Sequence, residues 1–82
     1  MVRSLVHDSA RLLGAILKDH RRAKGINQVA LAAALGKPQS FVSKVESGER
    51  RLDVFEFIVL VRALEIDANA LMIELSEALR AR

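Results

Sequence analysis

Four hydrogen-bonding side chains, Gln39, Ser40, Ser43 and Lys44, fall within six residues of the stretch AALGKPQSFVSKVESG, residues 33–48. Ser40 and Lys44 stand one i,i+4 step apart, and Gln39 stands four residues before Ser43 and five before Lys44, so a helix here gathers them into one short polar stripe. Val42 and Val45, interleaved with them, then turn the other way. The chemistry this stripe offers is directional hydrogen bonding plus one positive charge. Bond-making chemistry has no comparable constellation: the chain holds no nucleophile beside a base, no glycine-rich phosphate loop and no cluster of metal ligands. His7 and His20 each neighbour an aspartate, but adjacent positions on a helix do not face one another. The expectation is therefore a non-enzyme, with no cofactor and no metal site. Taken alone, the stripe reads as an ordinary solvated helix face; its setting decides for a binding surface.

That setting is basic. The chain carries +3 overall, and the charge is uneven. Residues 18–51 hold eight Lys/Arg against three acids, +5, whereas residues 52–82 hold three against six, −3. A localised basic face points to a polyanionic partner. With 82 residues, 51% of them apolar, the chain is sized for a single domain, 1–82, with enough apolar content for a core. It has no cysteine, which excludes a disulfide scaffold or zinc ribbon and suits a reducing cytoplasm. Apolar runs such as residues 57–61 are far short of the ~20 residues that span a bilayer, and Asp8 and Arg11 interrupt any signal-peptide core. A soluble, unprocessed chain is expected.

Every segment has helical period and none alternates as a strand does. Helix 1 is predicted from about Asp8 to Lys24, with Leu13, Ile16, Leu17 and His20 on one face and Gly25 as a left-handed C-terminal cap. Asn27 is a good N-cap for helix 2, with Ile26 and Leu31 as a hydrophobic staple, and Gly36 ends it. Helix 3 opens near Pro38, read as a first-turn residue with no N–H to waste, and ends at Ser47-Gly48. Asp53 and Glu56 form a capping box for helix 4, stapled by Leu52 and Phe57, and Asp67 opens helix 5, which runs to about Leu79. The result is an all-α domain of five short helices.

Ala32 is small enough for a close crossing, Gly36 suits a tight turn, and Val42 and Val45 can face back into helices 1 and 2. That is the spacing of a helix-turn-helix, about residues 28–47. The stretch NQVALAAALGKPQSFVSKVESGERRLD, through Gln28, Leu31, Ala32, Gly36, Gln39, Ser40, Val42, Glu46 and Gly48 in register, resembles the lambda-repressor-like, or XRE, family of bacterial and phage regulators. The likeness covers residues from about 13 to 75. It implies a five-helix DNA-binding domain whose third helix enters the major groove of double-stranded DNA, acting in the cytoplasm of a bacterium.

On that resemblance Gln39, Ser40, Ser43 and Lys44 are the expected base contacts. Gln39 matches the N6 and N7 edge of adenine; Lys44 reaches guanine or a phosphate; the two serines reach a base edge or a phosphate. Gln28 resembles the family's phosphate-clamping glutamine, and Lys37, Arg50 and Arg51 are further backbone candidates, the last two also placed for the adjacent minor groove. Phe41 either touches a thymine methyl or packs on helix 4. An acid on a DNA-facing helix would repel phosphate. In similar proteins the glutamate at the position of Glu46 pairs with an arginine, by register Arg21, which leaves Arg22 or Lys24 as phosphate candidates. Pro38 departs from the family's usual small hydroxyl residue. With one Gln, one Lys and no Arg in the stripe, specificity is expected to rest on few contacts plus DNA shape.

Helices 4 and 5, about 53–80, carry more apolar residues than a domain this small covers. Either helix 4 is fully enclosed, or the surplus forms a two-fold homodimer interface, for which Phe55, Val59, Met72, Leu75 and Leu79 are the candidates; Leu71, Met72 and Leu75 also read as core. The functional expectation is a regulator binding a palindromic operator as a homodimer: a phage-type repressor, a restriction–modification controller, or an antitoxin with a toxin as its one protein partner. The alternative is a protein-interaction module that keeps the fold without specific DNA binding.

Overall fold

A computed structural model of the chain describes the backbone of residues 2–81 and the side chains of residues 9–81. Five α-helices follow one another: α1 (Val2–Ala23), α2 (Gln28–Leu35), α3 (Gln39–Ser47), α4 (Val54–Ala63) and α5 (Ala68–Arg80). The expected architecture is thus present, with two boundaries moved. α1 begins at Val2 rather than near Asp8, because no Gly or Pro between Val2 and His7 stops it. Pro38 is the N-cap of α3, not its first helical residue: its backbone is extended (φ −71°, ψ 157°), and its carbonyl accepts the Phe41 N–H at 3.0 Å. It offers no side-chain cap. The side chain of His7 lies outside the described residues.

The predicted caps form. Asn27 Oδ1 accepts the Ala30 N–H at 2.8 Å, and Asp67 Oδ2 accepts that of Ala70 at 3.0 Å. At α4 the Asp53 carboxylate accepts the Glu56 N–H at 2.7 Å while Glu56 Oε1 accepts the Asp53 N–H at 3.0 Å, a reciprocal box. Gly36 takes the left-handed conformation (φ 66°) and its N–H, with that of Lys37, closes onto the last turn of α2, which frees the chain to reverse within three residues. The core is Ile16 and Leu17 of α1, Leu31 and Ala32 of α2, Val42 and Val45 of α3, Phe57, Leu60 and Val61 of α4 with Leu64 after it, and Leu71 of α5. α3 packs against both α1 and α2, while α5 closes over α1 and α4.

Enclosure of α4 is incomplete. Val54, Phe55 and Val59 stand in solvent, Phe55 at 79% exposure, as do Met72 and Ile73 of α5. Met72 is therefore surface and not core, in contrast to Leu71. Among the described residues no helix is long and apolar enough to cross a membrane.

Candidate nucleic-acid interface

Burial of Val42 and Val45 orients α3, and the consequence is a continuous exposed arc made of Gln39, Ser40, Ser43, Lys44 and Ser47. Ser47, absent from the predicted stripe, shares the arc, but the one hydrogen of its hydroxyl is held locally, with the Lys44 carbonyl at 3.1 Å and Glu49 Oε1 at 3.0 Å as its two acceptors. Phe41 leaves the arc to pack on the core, with Lys37 Nζ 5.3 Å and the Arg50 guanidinium 5.2 Å from its ring centre.

The one acid within α3, Glu46, faces inward. Arg21 Nε donates to Glu46 Oε2 at 2.6 Å and Arg21 Nη2 to Oε1 at 3.0 Å, a two-point pair whose side chains are 9% and 5% exposed. Arg21 Nη1 also donates to the Ile26 carbonyl at 2.8 Å. The hydrogen bonds to Glu46 raise the Arg21 pKa further above its ordinary range against the desolvation that lowers it. From Glu46 the bonding continues outward: Gln28 Nε2 donates to Glu46 Oε1 at 2.9 Å, and Gln39 Nε2 donates to Gln28 Oε1 at 3.3 Å. A chain of four side chains thus runs from α1 through α3 and the start of α2 to the surface of α3.

α3 sits this deep because Gly14 has no side chain. A Cβ there would stand 2.5 Å from the carbonyl oxygens of both Val45 and Glu46, so α1 and α3 touch through their backbones. Gly14 was absent from the sequence-based site. Its signal was a glycine interrupting an otherwise helical run, which marks close backbone approach.

The expected backbone-contacting cations divide. Lys37 and Arg51 are exposed beside α3. Arg50 is not the free loop cation expected: its guanidinium meets Glu56 at 2.7 and 3.3 Å and donates to the Arg51 carbonyl, tying the α3–α4 loop to the cap of α4. Asp53, then Arg50, hold the Glu56 carboxyl below its ordinary pKa. Lys24 is likewise engaged, with the Glu65 carbonyl at 3.2 Å, whereas Arg22 is exposed. His20, on the face assigned to the core, is half-buried and reaches Glu74 of α5 at 2.8 Å.

The five candidate interface residues have separate surroundings. Phe55 and Val59 line a cleft of about 230 Å³ with Leu35, Lys37, Phe41 and Glu56. Leu75 and Leu79 are partly buried in a different groove of about 340 Å³, floored by Leu12, Leu13 and Leu52. Met72 lines neither.

Comparison with known proteins gives this arrangement a context. A helix-turn-helix family model matches residues 17–71. Solved structures similar to the chain include the following three. An XRE-family like protein from Pseudomonas syringae pv. tomato is 43% identical over 94% of both chains, with a TM-score of 0.85. The restriction-modification controller protein C.AhdI from Aeromonas hydrophila is 33% identical over 74% of this chain and 88% of that one, TM-score 0.71. The clp gene regulator ClgR from C. glutamicum, 24% identical over 87% and 91% with a TM-score of 0.79, shares the fold. No curated protein matches significantly. With most of its length matched and α3 set against α1 and α2 in this way, the chain belongs to the XRE-type helix-turn-helix family.

Proposed function

We propose that this protein is a transcriptional regulator that binds a palindromic operator on double-stranded DNA as a homodimer, in the cytoplasm, with α3 in the major groove. The observation that carries the reading is the exposed arc of α3. It presents hydrogen-bonding side chains and one cation, while the helix's own acid is turned inward onto Arg21. Gln39, Ser40, Ser43 and Lys44 face base edges; Gln28, Lys37 and Arg51 hold phosphates, and Arg50 supports the loop that carries Arg51. The similarity to a restriction-modification controller and an XRE-family protein supports regulation. It leaves a controller, a phage-type repressor and an antitoxin with a toxin partner as the roles to separate by gene neighbourhood.

The homodimer rests on the large apolar side chains left in solvent on α4 and α5: Val54, Phe55, Val59, Met72 and Ile73. Two-fold pairing sets two α3 helices about 34 Å apart, one turn of DNA. Selection from a random DNA pool near physiological salt, with light scattering on the same sample, tests both parts. A palindromic motif bound by a dimer supports the reading. No enrichment by a folded sample overturns it in favour of a protein-interaction module built on the exposed α4 face.

A further inference from the structure

We propose that the groove between α1 and α5 binds an amphiphilic anion, a medium-chain aliphatic carboxylate, with its tail on the leucines and its head group on Arg51. The groove has a volume of about 340 Å³. That is the small end of the ~300–1,000 Å³ of clefts that take small molecules. Leu12 and Leu13 come from α1, Leu75 and Leu79 from α5, and Leu52 from the α3–α4 loop, which also brings Arg50 and Arg51. Two arginines and no acid stand among its described lining residues, so its charge is positive. Arg50 is already committed to Glu56 at 2.7 Å. Arg51 is exposed, and its guanidinium makes no hydrogen bond or ion pair among the described residues. A free guanidinium beside an apolar surface is complementary to a carboxylate that carries an aliphatic chain.

The surface favours a small ligand over a macromolecular partner. Protein interfaces are built on apolar side chains that stand out and fill pockets opposite. Here the leucines are recessed. Each is only partly exposed, and none of the large apolar side chains left in solvent, Phe55, Val59, Met72 and Ile73 among them, lines the groove. The groove is thus separate from the exposed face of α4 and α5 on which the homodimer rests. Its position makes the ligand an effector. Arg51 is one of the cations that hold phosphate in the reading above, and the effector role rests on that reading. A carboxylate and a DNA phosphate exclude one another on the same guanidinium. Bound ligand therefore weakens binding to every sequence alike, because phosphate contacts carry no base information.

The test uses the full chain with octanoate and decanoate below their micelle-forming concentrations, and octanol as the uncharged control. Titration calorimetry on the DNA-free protein is expected to give saturable binding of one decanoate per chain. Affinity should rise about tenfold from octanoate to decanoate, as two more methylenes are buried. It should fall about tenfold when octanol replaces octanoate, and again for decanoate on Arg51→Gln. Ala10 also lines the groove, and Ala10→Phe fills it and should abolish binding. Ala10→Leu takes its place if thermal melting shows that the larger side chain prevents folding. Non-saturable uptake, or undiminished binding by the folded filled variant, overturns the site. Loss of the dimer in that variant, read by light scattering, also overturns it, because a second copy then covers the groove. With an operator found by selection, decanoate is expected to weaken binding to operator and unrelated DNA by the same factor, in the natural chain but not in the filled variant. Decanoate that binds without weakening DNA binding overturns the effector role and leaves the site. A chain that binds no DNA overturns the regulator reading, while calorimetry on the DNA-free protein still decides the site.

Discussion

Gly14 and Glu46 meet backbone to backbone: a methyl group on Gly14 would lie 2.5 Å from the Glu46 carbonyl oxygen. Ala is the better helix former by about 1 kcal/mol, so in open space Gly14→Ala would stabilise α1. Here the carbonyls of α3 are in the way, and backbone cannot swing aside as a side chain can. Overpacking costs about 1–3 kcal/mol, and the expected net result is destabilisation, read by urea or thermal unfolding. A more stable Gly14→Ala protein would show that α1 and α3 are further apart than described.

The Arg21–Glu46 pair makes a sharper prediction, because both partners are nearly enclosed. Truncating Arg21 alone strands a buried carboxylate and should cost about 3–5 kcal/mol. Replacing both, as in Arg21→Met with Glu46→Leu, removes the two charges together and should recover most of that loss. A double-mutant cycle on unfolding free energies measures the difference. If the single and double variants lose the same amount, the pair is not the coupled unit described.

Much of this arrangement was legible in the residue order. Asn27, Asp53 and Asp67 each lead an apolar-periodic run, and a cap of this kind is a local interaction complete within four residues, so sequence alone places it. The inward turn of Val42 and Val45 follows from spacing, and with it the exposed arc. What escaped was non-local. Arg50 looks like any loop cation until the α3–α4 turn brings Glu56 within 2.7 Å. His20 and Glu74 are 54 residues apart and meet only once α5 has packed on α1. Leu75, Leu79, Phe55 and Val59 share a composition but not a surface, since which groove each enters depends on helix crossings that periodicity does not encode.

Acid sensitivity should trace in part to the cap of α4. Glu56 accepts from the Asp53 N–H and from Arg50, and both favour its ionised form, lowering its pKa from the ordinary 4.5. A carboxylate with a depressed folded pKa contributes stability that is fully present above the unfolded value and is lost as pH falls through the folded one. The contribution should thus be intact above about pH 4.5 and fade below it. Glu56→Gln should be less stable than the natural protein at neutral pH, and the gap should close in acid. Parallel stability curves for the two proteins across that range would remove Glu56 from the account.

Glu65 is the one non-glycine with positive φ, 59°, among the described residues, at the turn from α4 to α5. The left-handed conformation costs an ordinary residue about 1–2 kcal/mol. Glu65→Gly relieves that cost but gives the unfolded chain more freedom, so a net gain of about 0.5–1 kcal/mol is expected. The bond that Lys24 Nζ donates to the Glu65 carbonyl uses only the backbone of Glu65 and survives the change. Thermal unfolding reads the effect, and a loss of stability would mean that the Glu65 side chain contributes more than its backbone costs.

Phe55 separates fold from assembly. Its side chain is 79% exposed, so replacing it by a charged residue removes little from the core of a single chain. Phe55→Glu should leave the melting temperature of the isolated chain within a few degrees of the natural one, since surface changes usually lie within about 0.5 kcal/mol. In a homodimer paired through α4, the same change buries an unpaired carboxylate at the centre of an apolar contact, which costs several kcal/mol and shifts the equilibrium to monomer. Sedimentation or light scattering over a concentration series distinguishes the two. Loss of the dimer, together with weakened binding to a two-half-site operator but unchanged binding to a single half-site, places the two-fold axis beside α4. An undisturbed dimer moves it elsewhere, and Met72→Glu or Ile73→Glu on α5 is then the variant expected to break it.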